Sequence, residues 1–136
     1  MSASYPLSSL EVTASELAAL KKAGIRTAAA LLEAAKTPKG RKELFKSTGI
    51  DPKRLLELAN RADRMRVKGL GKEYAELLRV VGVDTVKELK YRNPAKLAEA
   101  LGAANKKRKL VRLVPTGKAV GRWIEYAKKL VIKISY

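Results

Sequence analysis

Apolar residues recur along this chain at the three-and-four spacing of amphipathic helices, interrupted by glycine, proline and threonine punctuation. Leu17, Leu20 and Ala23 share one face of a helix that stops at Gly24, where a left-handed cap residue would stand. Thr27 is suited to N-cap a second helix over residues 28–35, and Thr37-Pro38 opens a third that runs to about Lys46. Gly49-Ile50-Asp51-Pro52 repeats that grammar and opens residues 53–65, with Leu55, Leu58, Ala59 and Ala62 as the buried stripe. Farther on, Asn93-Pro94 begins a short helix through Leu101. Pro115-Thr116 then opens a last one, whose face carries Val120, Trp123, Ile124 and Ala127. Trp123 sits mid-stripe and reads as a core anchor. Residues 1–9 lack periodicity and read as a loose leader. Residues 131–136 alternate weakly, as a frayed end, a short strand or an edge pairing with another copy would.

The pattern also repeats. A shift of 58 residues sets Leu20, Gly24, Ile25, Thr27 and Leu31 beside Leu78, Gly82, Val83, Thr85 and Leu89. Two related helical units able to bury a common apolar core follow from that register. The expected architecture is all-α: leader 1–9, first unit 10–66, second unit 67–130 with basic C-terminal helices, and tail 131–136.

At the start of the second unit lies Lys68-Gly69-Leu70-Gly71-Lys72, followed by a helix-compatible run with small Ala75. Two glycines around an apolar residue allow a tight turn, and the helix after it presents unpaired N–H groups carrying partial positive charge, a natural seat for a phosphate. Leu70 is expected to point inward between the two helices. The pattern resembles the helix-hairpin-helix motif of sequence-independent DNA-binding proteins. In the repeat register Glu11-Val12-Thr13 faces Gly69-Leu70-Gly71, so the first hairpin reads as degenerate and structural.

Charge sharpens this picture. The chain of 136 residues carries 30 Lys+Arg against 13 Asp+Glu, net +17, and residues 61–136 hold +13 of it. So large an excess calls for a polyanion, nucleic acid first and an anionic membrane second. The candidate contacts are Arg64, Arg66, Lys68 and Lys72 around the turn, its backbone at Gly69, Leu70 and Gly71, and the run Lys106, Lys107, Arg108, Lys109 and Arg112. Only seven aromatic residues argue against base-stacking platforms for single strands.

The chemistry excluded is broad. Without cysteine or histidine there are no disulfides, thiolates, zinc sites of the usual kind or histidine acid–base pairs. Gly117-Lys118 lacks the upstream glycine of a P-loop. Glu73, Glu76, Asp84 and Glu88 stand at helical spacing beside Lys72, Arg79, Lys87 and Lys90, as surface ion pairs do. Helix-hairpin-helix glycosylases add a Lys or Asp nucleophile beside the motif; Asp84 lies downstream, but its position after Gly82-Val83 and before Thr85 suits a helix cap. The protein reads as a non-enzyme. No apolar run reaches the roughly 18 residues of a membrane span. The N-terminus has no signal-peptide pattern. A cytoplasmic or nucleoid location is the expectation.

Residues 31–38, Thr48-Gly49-Ile50-Asp51, residues 60–66, Gly69-Leu70-Gly71, residues 82–89, Arg92-Asn93-Pro94 and residues 109–112 together resemble a prokaryotic family catalogued as a domain of unknown function and built from helix-hairpin-helix repeats. The resemblance implies an all-α fold, contact with double-stranded DNA and a monovalent cation at the carbonyls of the Gly69–Gly71 hairpin; no other cofactor and no small-molecule substrate are expected. Two departures stand out: Glu11-Val12-Thr13 replaces a first glycine hairpin, and Lys106-Lys107-Arg108-Lys109 replaces a stretch often acidic in relatives. The expected function is sequence-independent duplex binding from the minor-groove side. The alternative is a helical adaptor whose basic face meets an acidic protein, RNA or an anionic membrane.

Overall fold

Side-chain oxygens decide where most helices of this protein begin. In the computed structural model, which describes residues 5–136, eight α-helices are present among the described residues. They are α1 (Ala14–Lys22), α2 (Ala28–Ala35), α3 (Pro38–Thr48), α4 (Pro52–Arg64), α5 (Gly71–Val80), α6 (Val86–Lys90), α7 (Pro94–Arg108) and α8 (Gly117–Lys128). Thr13, Thr27, Thr37, Asn93 and Thr116 each accept the N–H three residues on, and Asp51 accepts that of Lys53. Each such cap contributes about 1 kcal/mol. At α6 the Glu88 carboxylate takes both the N–H and the hydroxyl of Thr85, at 3.0 and 2.9 Å. Thr85, not Asp84, is therefore the cap residue there. Glu88 lies three residues on and closes a box that Asp84 cannot form.

The chain divides into two units, residues up to Asp63 with Lys133–Tyr136, and Arg64–Ile132. In the first unit, α2 packs on α3 and on a 3-10 turn, Leu7–Leu10, while α1 also meets α3. Leu7, Leu10, Leu20, Leu31 and Ala35 are buried there. Residues 5–9 are thus built in rather than loose: Pro6 forms an antiparallel bridge to Thr27, and Leu7 is a core residue. Residues 1–4 of the leader lie outside the described residues.

The tail is neither a strand nor a frayed end. Ser135 donates its N–H to the Lys36 carbonyl at 2.9 Å, Ile134 is buried, and Lys133 pairs with Glu33. Arg41, only 5 % exposed, donates to the carbonyls of Ala35 at 2.9 Å and Ser135 at 2.8 Å. A buried guanidinium needs such acceptors, and burial lowers its pKa while leaving it charged at neutral pH.

The second unit reproduces the first unit's turn chemistry. Ile25 donates to Leu20 and Val83 to Leu78, each at 2.9 Å, around Gly24 and Gly82, whose φ angles are +86° and +90°. Within this unit α8 packs on α6 and α7, and α5 on α7. Val83, Leu89, Leu97, Leu101, Val120, Trp123 and Ile124 form its buried set. Helix α7 runs seven residues past the expected end at Leu101. Gly102 lies inside it, where a Cβ would meet Val114 at 3.6 Å, and the cations of its last turn complement the negative end of the helix dipole.

Candidate nucleic-acid interface

The turn ahead of α5 is built by two buried apolar residues. Val67 donates its N–H to the Arg64 carbonyl and Leu70 to the Val67 carbonyl, each at 3.2 Å. Val67 and Leu70 are almost fully buried, so the intervening Lys68 and Gly69 are pushed into solvent. Gly69 and Gly71 have φ angles of +83° and +74°, the left-handed region that costs other residues about 1–2 kcal/mol. Nothing lies within 4 Å of the place a Cβ would take at either glycine. The demand for glycine is conformational, and the surface it leaves is open.

Helix α5 then starts from Leu70, which makes no side-chain cap bond. Six of the other α-helices start at a threonine, asparagine or aspartate whose side chain accepts a helix N–H, and α6 starts at Thr85, held by the Glu88 carboxylate. At α5 no side chain caps the first N–H groups, and the acidic residue of its first turn, Glu73, is exposed.

The candidate cations separate into two groups. Arg64 is 2 % exposed, donates to the Asp84 carbonyl at 2.8 Å and lies 4.0 Å from Glu76. Arg66 is half-buried and donates to the Val131 carbonyl at 2.7 Å. Both serve the fold of the second unit, which removes Arg64 as a phosphate contact and ties Arg66 to the chain after α8. Lys68 and Lys72 flank the turn and are exposed. Lys106, Lys107 and Arg108 form the exposed last turn of α7, and Lys109 is its left-handed cap at φ +52°.

Arg112 is exposed on a loop held in place from both sides. Asn105 accepts the Val111 N–H and donates to the Val111 carbonyl, each at 3.0 Å, and the Tyr74 hydroxyl of α5 donates to the Leu113 carbonyl at 2.9 Å. The end of the basic run is thereby brought to the flank of α5. Among the acidic groups, Glu76 pairs with Arg79 at 2.6 Å, and Glu88 is used by Thr85. With eighteen Lys and Arg against six Asp and Glu, residues 64–132 carry net +12.

A cleft of about 400 Å³ opens beside the turn. Lys68 and Gly69 line it together with Tyr74 of α5 and Arg122, Trp123 and Tyr126 of α8. Tyr74 and Trp123 lie with ring centroids 5.3 Å apart and planes tilted by 47°. Trp123 is a core residue as expected, at 6 % exposure, yet it also backs this cleft. The sequence reading missed Tyr74, Arg122 and Tyr126. The one local signal was the four-residue spacing of Arg122 and Tyr126, which sets both on one side of α8.

The family described as Domain of unknown function (DUF4332) matches residues 10–130. The chain belongs to this family. The DUF4332 match takes in both glycine-stop repeats, the Gly69–Gly71 turn and the basic run. No curated protein and no solved structure matches the chain. No helix among the described residues is long and apolar enough to cross a membrane.

Proposed function

We propose that this DUF4332 protein binds double-stranded DNA without regard to sequence, as a non-catalytic, nucleoid-type accessory. The turn before α5 acts as a helix-hairpin-helix phosphate seat. The observation that carries this reading is the start of α5: two left-handed glycines, no side-chain cap and an open face, in a unit of net +12. Backbone N–H groups at Gly69, Gly71 and Lys72 hold one phosphate from the minor-groove side. Lys68, Lys72, Arg112 and the Lys106–Lys109 run reach its neighbours. Such contacts fix position without reading bases.

With about five to seven phosphates neutralised, log K falls with log salt at a slope of about −4.5 to −6.3. Fluorescence anisotropy on a random duplex of about 20 base pairs, with single-stranded DNA and duplex RNA in parallel, measures that slope. Tight duplex-DNA binding with a steep slope, weakened alike on all sequences by Gly71→Val, is the expected result. Affinity unchanged by Gly71→Val removes the turn from the mechanism. Weak binding to every nucleic acid near physiological salt overturns the reading. That outcome favours a second one, an adaptor for an acidic protein or anionic surface, to which the exposed Leu113 and Val114 beside Arg112 are suited.

A further inference from the structure

The cleft beside the turn has the composition of a nucleotide site. Three of the seven aromatic residues of the chain converge on it, and its two charged lining groups, Lys68 and Arg122, are cationic. No carboxylate lines it. Its volume of about 400 Å³ falls within the range of small-ligand sites. Aromatic faces accept any base by stacking, and cations at the rim accept the phosphate that comes with it.

We infer that this cleft takes one unpaired nucleotide of a DNA strand whose adjoining duplex lies on the turn. The base stacks against Tyr126 and Tyr74 over the Trp123 floor, and the phosphate meets Arg122 and Lys68. The inference rests on the duplex-binding reading, because Lys68 and Gly69 belong to both sites and make the cleft continuous with the phosphate seat. Its consequence is a preference for duplex ends with a single-stranded extension over blunt duplex. That outcome runs against the small aromatic content of the sequence, because what matters is that three rings meet at one place.

Trp123 is the sole tryptophan of the chain, so its fluorescence reports on the cleft directly. The experiment compares a blunt duplex, the same duplex with a short thymidine overhang, free thymidine monophosphate and a short oligothymidylate. Anisotropy and Trp123 emission are read together, on the wild type, Tyr126→Ala and Tyr126→Phe. The overhang duplex is expected to bind about 5-fold tighter than the blunt one, or more, and to quench Trp123, one stacked base accounting for a gain of that size. Tyr126→Ala abolishes the preference, Tyr126→Phe retains it, and both bind blunt duplex as the wild type does. Equal affinity for the two duplexes with unquenched Trp123, or a preference that survives Tyr126→Ala, overturns the inference while duplex binding stands. Saturable quenching by thymidine monophosphate without an overhang preference makes this a site for free nucleotide and overturns the strand assignment. Quenching by oligothymidylate in a protein that does not bind blunt duplex leaves the cleft intact and removes the duplex reading instead.

Discussion

Helices α1 and α5 stand at corresponding places in the two repeats, and their first turns are finished in opposite ways. Glu11 and Gly69, equivalent in the 58-residue register, both adopt left-handed backbone, at φ +56° and +83°. Two residues on, Thr13 caps α1, accepting the Glu16 N–H at 3.1 Å while the Glu16 carboxylate accepts the Thr13 N–H at 2.8 Å. Arg54 holds the same carboxylate at 2.8 and 3.1 Å. The first unit thus supplies its own anion to its own helix. At α5, Gly71 replaces Thr13 and Tyr74 replaces Glu16, and the Tyr74 hydroxyl is spent on the Leu113 carbonyl. One helix start carries a side-chain capping box, and the other carries no side-chain cap.

Transplanting the closed start is the strongest way to break this comparison. Gly69→Glu, Leu70→Val, Gly71→Thr and Tyr74→Glu together rebuild the α1 turn at α5, adding a carboxylate where a phosphate would sit. Duplex affinity is expected to fall about tenfold or more, with helical circular dichroism retained. Undiminished affinity in a folded variant places binding elsewhere.

Smaller effects sharpen the contrast. Lys68→Ala and Lys72→Ala each lower the salt slope by about 1, whereas Lys21→Ala and Lys22→Ala, in the last turn of α1, leave it unchanged. Acid tests the internal anion. The Arg54 guanidinium holds the Glu16 carboxyl below its ordinary value, and Lys133 and Lys36 hold Glu33 at about 2. Both carboxyls are more acidic folded than unfolded. Their contribution is therefore present above the ordinary carboxyl value of about 4.5 and is lost as pH falls through each folded value, which for Glu33 is about 2. Thermal melts between neutral and acid pH should show this decline, and Arg54→Ala should flatten the part due to Glu16. The smallest effects are conformational: Glu11→Gly gains up to about 1 kcal/mol in urea denaturation by relieving left-handed strain, and Gly69→Ala loses about as much.

Most of the fold was legible because its signals are local. Threonine and asparagine caps, glycine stops and apolar stripes act within a few residues, and the 58-residue repeat follows from them. The exceptions were local competitions: Thr85 wins over Asp84 because Glu88 completes its box, and α7 continues past Gly102. The tail resisted reading because Arg41 and Ser135, which hold it, are 94 residues apart in sequence.

The same reason divides the candidate site. The glycine turn was readable from adjacent residues. The burial of Arg64 and the tethering of Arg66 were not, since their acceptors Asp84 and Val131 lie 20 and 65 positions away. The cleft joins Tyr74 to Arg122, Trp123 and Tyr126 across a similar gap, beyond any periodic pattern.

Amide resonances followed during titration with a short random duplex address the central claim most directly. The N–H signals of Gly69, Gly71 and Lys72 should shift on binding, while those of Glu11, Thr13 and Glu16 stay in place. Shifts confined to residues 106–112, with the two glycines unmoved, would contradict an open helix start as the phosphate seat.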